Sequence, residues 1–102
     1  MKEPLQRARV QLMELLEEHE TTRGMFVRVH GDHLIVGRKE PLGPNGEPED
    51  DDRVRLTRLG SQVYGLSAKR HTGRWERTPF TGTIKEMVDT VRAVMQHLVA
   101  PF

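Results

Sequence analysis

His30 and His33 flank the dipeptide Gly31-Asp32, which can turn a chain tightly because glycine reaches positive φ without strain. In a hairpin built on that turn the two imidazoles face each other. With Asp32 or His71 they would have the chemistry to hold a divalent metal. The spacing matches no ligand pattern and a third ligand from the same segment is missing, so no metal is expected. The run Glu49-Asp50-Asp51-Asp52 lacks the alternating ligands and central glycine of a calcium loop, and reads as a solvated charge run. Ser61 and Ser67 stand in no nucleophile motif. Gly82 precedes a helix without a phosphate-binding glycine loop. No cofactor is implied, and the chain is expected to be non-enzymatic.

The remaining chemistry is basic. Segments 21–39 and 53–78 hold eleven of the sixteen Lys and Arg residues against two acids, Asp32 and Glu76. Residues 40–52 carry six acids and no base, so the formal net charge of +1 conceals a basic part beside an acidic one. Clustered positive charge attracts phosphate. The candidate phosphate-tracking residues are Arg28, His30, His33, Arg53, Arg55, Lys69, Arg74 and Trp75, the last as a ring on which a base could stack.

The elements that must position these residues follow from periodicity. Residues 4–20 read as a helix, with Pro4 suited to its first turn and Leu5, Ala8, Leu12 and Leu15/Leu16 on one face. Val10 and Met13 are expected to widen that stripe. Gly24 is a stop signal. The period then becomes 2. Met25, Val27 and Val29 alternate with Phe26, Arg28 and His30, and Leu34 and Val36 return opposite them. Residues 40–52, with Pro41, Pro44 and Pro48 among the acids, are expected to form a long loop. Strands follow at Arg53–Leu59, Val63–Lys69 and Arg74–Phe80, with Pro79 ending the last or placing it at an edge. Thr83-Ile84-Lys85-Glu86 is a capping box opening a helix over about 84–98.

The expected fold is α+β: a five-stranded antiparallel meander with N- and C-terminal amphipathic helices packed on one face, in one domain spanning 1–102. The other face would then show Arg28, His30, His33, Arg53, Arg55, Thr57 and Lys69, with Phe26 and Ile35 among them. Cations interleaved with rings on an open sheet suit single-stranded nucleic acid. The plainer reading is an ordinary solvated outer face. The side taken by Trp75 depends on the turn before it. A three-residue loop with Gly73 left-handed pairs Lys69 with Trp75 and puts the indole on the basic face; a two-residue loop pairs Lys69 with Glu76 and sends Trp75 to the core. In the first case Thr78 and Phe80 point inward.

The hairpin at Met25–Lys39, the long loop and the helix at 84–98 give an element order that resembles the Whirly-like single-strand binders. The resemblance is one of topology, without a diagnostic motif, and the N-terminal helix departs from it.

There is no cysteine, hence no disulfide and no thiolate chemistry. No apolar run is long enough to span a membrane and residues 1–5 do not read as a signal peptide, so a cytoplasmic protein is expected. The expected partner is single-stranded DNA or RNA. A protein-interaction module or homodimeric adaptor is the alternative. The acidic segment 47–52 is expected either to cover the basic face when no ligand is present or simply to keep the protein soluble.

Overall fold

A computed structural model describes residues 5–41 and 48–99. Its elements run α1 (Gln6–Glu17), β1 (Phe26–His30), β2 (His33–Pro41), β3 (Pro48–Gly60), β4 (Val63–Lys69), β5 (Trp75–Gly82), α2 (Ile84–Val94) and α3 (Gln96–Val99). The strands form one antiparallel sheet in the order β1-β2-β3-β4-β5, a pure meander. This is the α+β architecture that the alternation and the two amphipathic helices dictate.

Alternation sorts the core. Val27, Leu34, Val36, Val54, Leu56, Tyr64 and Leu66 point to one face, where they bury Leu12 and Leu16 of α1 and Met87, Val88 and Val91 of α2. The capping box forms as its spacing requires. Glu86 N–H donates to Thr83 Oγ1 at 3.2 Å, and Thr83 N–H donates to Glu86 Oε1 at 2.9 Å. The C-terminus of α1 is closed by side chains from elsewhere. Thr22 Oγ1 donates to the Leu16 carbonyl at 2.7 Å, and Arg92 of α2 donates to the Leu15 carbonyl and to Thr22 Oγ1. Carbonyls that a helix end leaves without partners are thereby satisfied inside the core.

Several boundaries differ from the periodicity reading. Helix α1 is shorter than 4–20, and Pro4 lies outside the described residues. Val10 and Met13 are exposed, so the buried stripe of α1 is narrower than its apolar content suggests. The helix expected over 84–98 breaks at Met95, whose φ of −124° is not helical, and α3 is a separate turn. The expected loop at 40–52 is largely strand: β2 and β3 stay paired through Glu40↔Glu49 to Pro41↔Pro48. Proline removes one donor and so is tolerated at the last rung of a ladder. Residues 42–47 lie outside the described residues.

Three irregularities interrupt the register of the sheet. Between Val36 and Gly37 the register with β3 slips, leaving Arg53 as an extra residue. A Cβ on Gly37 would stand 2.2 Å from the Asp51 carbonyl oxygen and 2.8 Å from Phe26 Cζ, so the close approach there needs glycine. A second slip falls between Arg58 and Gly60. On β5, Thr78, Pro79 and Phe80 together oppose Leu66, and Thr78 Oγ1 donates to the Leu66 carbonyl at 2.8 Å in place of a ladder bond. Phe80 is therefore exposed, not turned inward.

Candidate nucleic-acid interface

The helices cover one face of the sheet. On the other face the register lines side chains up in rows across the strands. One row is His30, His33, Thr57, Gly65 and Thr81; the next is Arg28, Ile35, Arg55, Ser67 and Arg77. In the second row, Ile35 and Ser67 sit between arginines and are only 6% and 4% exposed. Long arginine stems flanking them account for that shielding. Beyond it lie the paired Phe26, Gly37 and Asp52 and the paired Lys69 and Trp75, the two sets meeting where Lys69 Nζ approaches Asp52 Oδ2. Lys39 and Asp50 form the next pair outward.

Charge on this face is divided. Arg28 Nη2 donates to Asp52 Oδ2 at 2.9 Å and its Nη1 to Asp50 Oδ2 at 3.1 Å. Lys39 also pairs with Asp50, and Lys69 Nζ lies 3.9 Å from Asp52 Oδ2. The hydrogen bond from Lys39 is the main reason the Asp50 carboxyl titrates below its ordinary range. The β1 side of the face and its extension are thus internally neutralised by the first residues of β3.

The β4–β5 side is different. Lys69 pairs with Trp75, Gly73 takes a φ of +86°, and Arg70 N–H donates to the Arg74 carbonyl at 2.8 Å across the turn. The indole therefore lies on the basic face. The Arg55 guanidinium sits 4.8 Å from its ring centre and Lys69 Nζ 5.9 Å away. Arg55 Nε is buried without a hydrogen-bond partner. Burial first, and then the charge of Arg77, lower the Arg55 pKa from its ordinary value. Next to it, burial, Arg55 and His30 lower the pKa of His33 against the opposing pull of Asp32. His33 Nδ1 shares a 2.8 Å hydrogen bond with Thr57 Oγ1.

Arg28, His30, His33, Arg55, Lys69 and Trp75 thus share the open face, with His30 directly opposite His33. Arg53 does not join them. As the extra residue of the bulge it turns to the helix side, where its side chain is 12% exposed, donating to the Leu98 carbonyl at 2.7 Å and to Asp51 Oδ2 at 2.8 Å. Strict alternation would have kept it beside Arg55; one inserted residue reverses its side. Arg74 is exposed in the turn before β5. Sequence reasoning missed Arg77, Lys39, Asp50 and Asp52. Arg77 was available from parity, two residues beyond Trp75. The two aspartates were hidden by the expected loop. Among the described residues there is no group of three or more His, Asp or Glu side chains able to hold a metal, and no helix is long and apolar enough to cross a membrane.

Compared with protein-family models, with curated proteins and with solved structures, the chain matches none.

Proposed function

We propose that this is a non-enzymatic, cytoplasmic binding protein whose open sheet face takes single-stranded DNA or RNA. The observation that carries the reading is the transverse row Arg28–Arg55–Arg77, with Trp75 beside it, on the face away from both helices. Five strands spaced about 4.8 Å apart make that row roughly 19 Å wide. A single strand can lay a few phosphates along such a track, and its bases are free to meet aromatic and guanidinium planes. A duplex offers fewer accessible base faces to the same surface.

The test is a titration with a fluorescent oligothymidylate at two salt concentrations. With three or four phosphates neutralised, the logarithm of the binding constant should fall with log salt at a slope of roughly −2 to −3. No change in anisotropy at low salt would refute the reading.

The alternative, a homodimeric or adaptor module, is favoured by the exposure of Leu59, Val63 and Phe80. Both sheet edges oppose dimerisation by strand addition. Arg9 Nε donates to the Val27 carbonyl at 3.1 Å on β1, and β5 is broken by its bulge and Pro79. Sedimentation across a concentration series separates the two readings.

A further inference from the structure

Within the strands, almost every lysine and arginine already has an acceptor. Arg28 has Asp50 and Asp52, Lys39 has Asp50, Lys69 has Asp52, Arg53 has Asp51 and Arg58 has Asp32. Arg38 donates to the Arg23 and Thr21 carbonyls at 3.0 and 2.8 Å. Arg55 and Arg77 are the exceptions. Among the described residues neither side chain makes a hydrogen bond or an ion pair, although they flank Ser67 in one row. Two unpaired cations side by side repel, and a buried guanidinium nitrogen without an acceptor costs free energy.

We propose that Arg55 and Arg77 form a seat for one phosphate group, with Trp75 holding the Arg55 guanidinium in place from beneath. A phosphate above Ser67 would accept from the outer Nη groups of Arg55, which are not among its buried atoms, and neutralise the charge shared with Arg77. Guanidinium forks match phosphate oxygens in pairs. The contact with the indole, 4.8 Å from its centre, restricts the Arg55 side chain before any ligand arrives, so less freedom is lost on binding. The Arg28 end of the same row is already occupied by Asp50 and Asp52. The first phosphate is therefore expected at the Arg55–Arg77 end. The inference rests on the nucleic-acid reading for the source of the phosphate, but the seat itself requires only the anion.

Trp75 is the only tryptophan, so its fluorescence reads this place on the sheet. The experiment titrates the full chain at low salt with an oligothymidylate and, separately, with inorganic phosphate, following tryptophan emission and, for the labelled oligonucleotide, anisotropy. Arg77→Gln is the main variant, since an exposed side chain without partners can be changed without unfolding the protein. Arg55→Lys keeps the charge but loses the fork. Lys85→Gln, on α2 and paired with Asp89 at 3.1 Å, removes the same charge far from the seat.

The expected result is an emission change with the oligonucleotide. Its affinity should be about tenfold weaker in Arg77→Gln, the scale of one lost charge-assisted contact. The salt slope should be shallower by about 0.7. Arg55→Lys should weaken binding while Lys85→Gln leaves it near wild type. If the oligonucleotide binds all four proteins alike, the seat is wrong and the wider binding reading stands. If only inorganic phosphate changes the emission, and only with Arg77 present, the seat stands and the ligand is a small phosphate, not a strand. If neither ligand changes emission or anisotropy, both proposals fail.

Discussion

Arg28 on β1 reaches over β2 to Asp52 on β3, Nη2 to Oδ2 at 2.9 Å, and the residue it crosses beside is Gly37. Without a side chain at Gly37 the two can meet above the sheet. Asp50 and Asp52 are two residues apart on one strand, hence about 7 Å apart, a spacing similar to that of successive phosphates along a single strand. They occupy cations that a nucleic acid would need. Asp50→Asn with Asp52→Asn is expected to tighten oligonucleotide binding several-fold at low salt, and to shift the amide resonances of Arg28 and Lys69 in the free protein. Asp89→Asn on α2 removes one charge on the helix side and should do neither. A gain from Asp89→Asn of about half that size on a logarithmic scale, the share of one charge in two, would reduce the effect to long-range repulsion. The pairs of Asp50 are screened by solvent, so their loss should affect folding little; Asp52, whose side chain is 15% exposed, is the one of the two whose replacement a melting curve would register.

His33 gives a pH dependence with a definite sign. Its folded-state pKa lies below 6.5, chiefly through burial and then through Arg55 and His30. In the window between that lowered value and 6.5 the unfolded chain binds more protons than the folded one. Stability should therefore rise with pH through this window, be flat above it, and be lost as pH falls. The contribution should vanish in His33→Gln. A phosphate seated by Arg55 would add negative charge nearby and raise the His33 pKa. Binding in the same window should then take up protons and strengthen as pH falls. Titration of the His33 ring protons by NMR, with and without oligonucleotide, checks both statements; a free-protein value at or above 6.5 contradicts the first.

Thr83→Ala removes the hydroxyl that accepts from Glu86 N–H and leaves Glu86 as half of a capping box. The expected loss is about 0.5–2 kcal/mol of unfolding free energy, read from urea denaturation. Thr83→Ser keeps the oxygen and should retain most of the stability. Equal losses in both would mean the methyl group, not the cap, carries the effect.

Most of the fold was legible in the chain because its signals are local. The alternation of Val27/Val29 with Arg28/His30, the Gly31-Asp32 turn and the Thr83–Glu86 box each act over a few residues. The basic residues of the open face were legible for the same reason, whereas the side of the sheet taken by Trp75 turned on a loop length that two registers could satisfy. What escaped depends on pairing over distance. Arg53 changes sides because the β2–β3 register slips once, and the signal for that slip was Gly37, an isolated glycine in a strand. The prolines at 41 and 48 suggested a loop, but pairing between β2 and β3 carries the ladder up to them. The closure of α1 by Arg92 joins residues 77 positions apart, which no local pattern reports.

Gly37 should also be the least replaceable small residue in the sheet. A Cβ there would meet the Asp51 carbonyl oxygen at 2.2 Å, which is backbone and cannot rotate away, and Phe26 Cζ at 2.8 Å. Gly37→Ala must push β2 and β3 apart at the bulge, and overpacking of this kind costs about 1–3 kcal/mol. In a domain of this size that corresponds to a fall in Tm of roughly 4–8 °C per kcal/mol. The same displacement would move Asp52 away from Arg28 and Lys69, and Arg53 away from the Leu98 carbonyl. The variant should therefore melt earlier and bind oligonucleotide more tightly at temperatures where it remains folded, because part of the intramolecular competition is gone. Gly60→Ala is the matched control: a Cβ there meets nothing within 4 Å, so its Tm and binding should stay near those of the parent. Calorimetry and anisotropy on the two variants decide the matter. A Gly37→Ala protein with unchanged Tm would show that the strands yield at the bulge without cost. One that melts early yet binds no better would separate the bulge from the placement of Asp52.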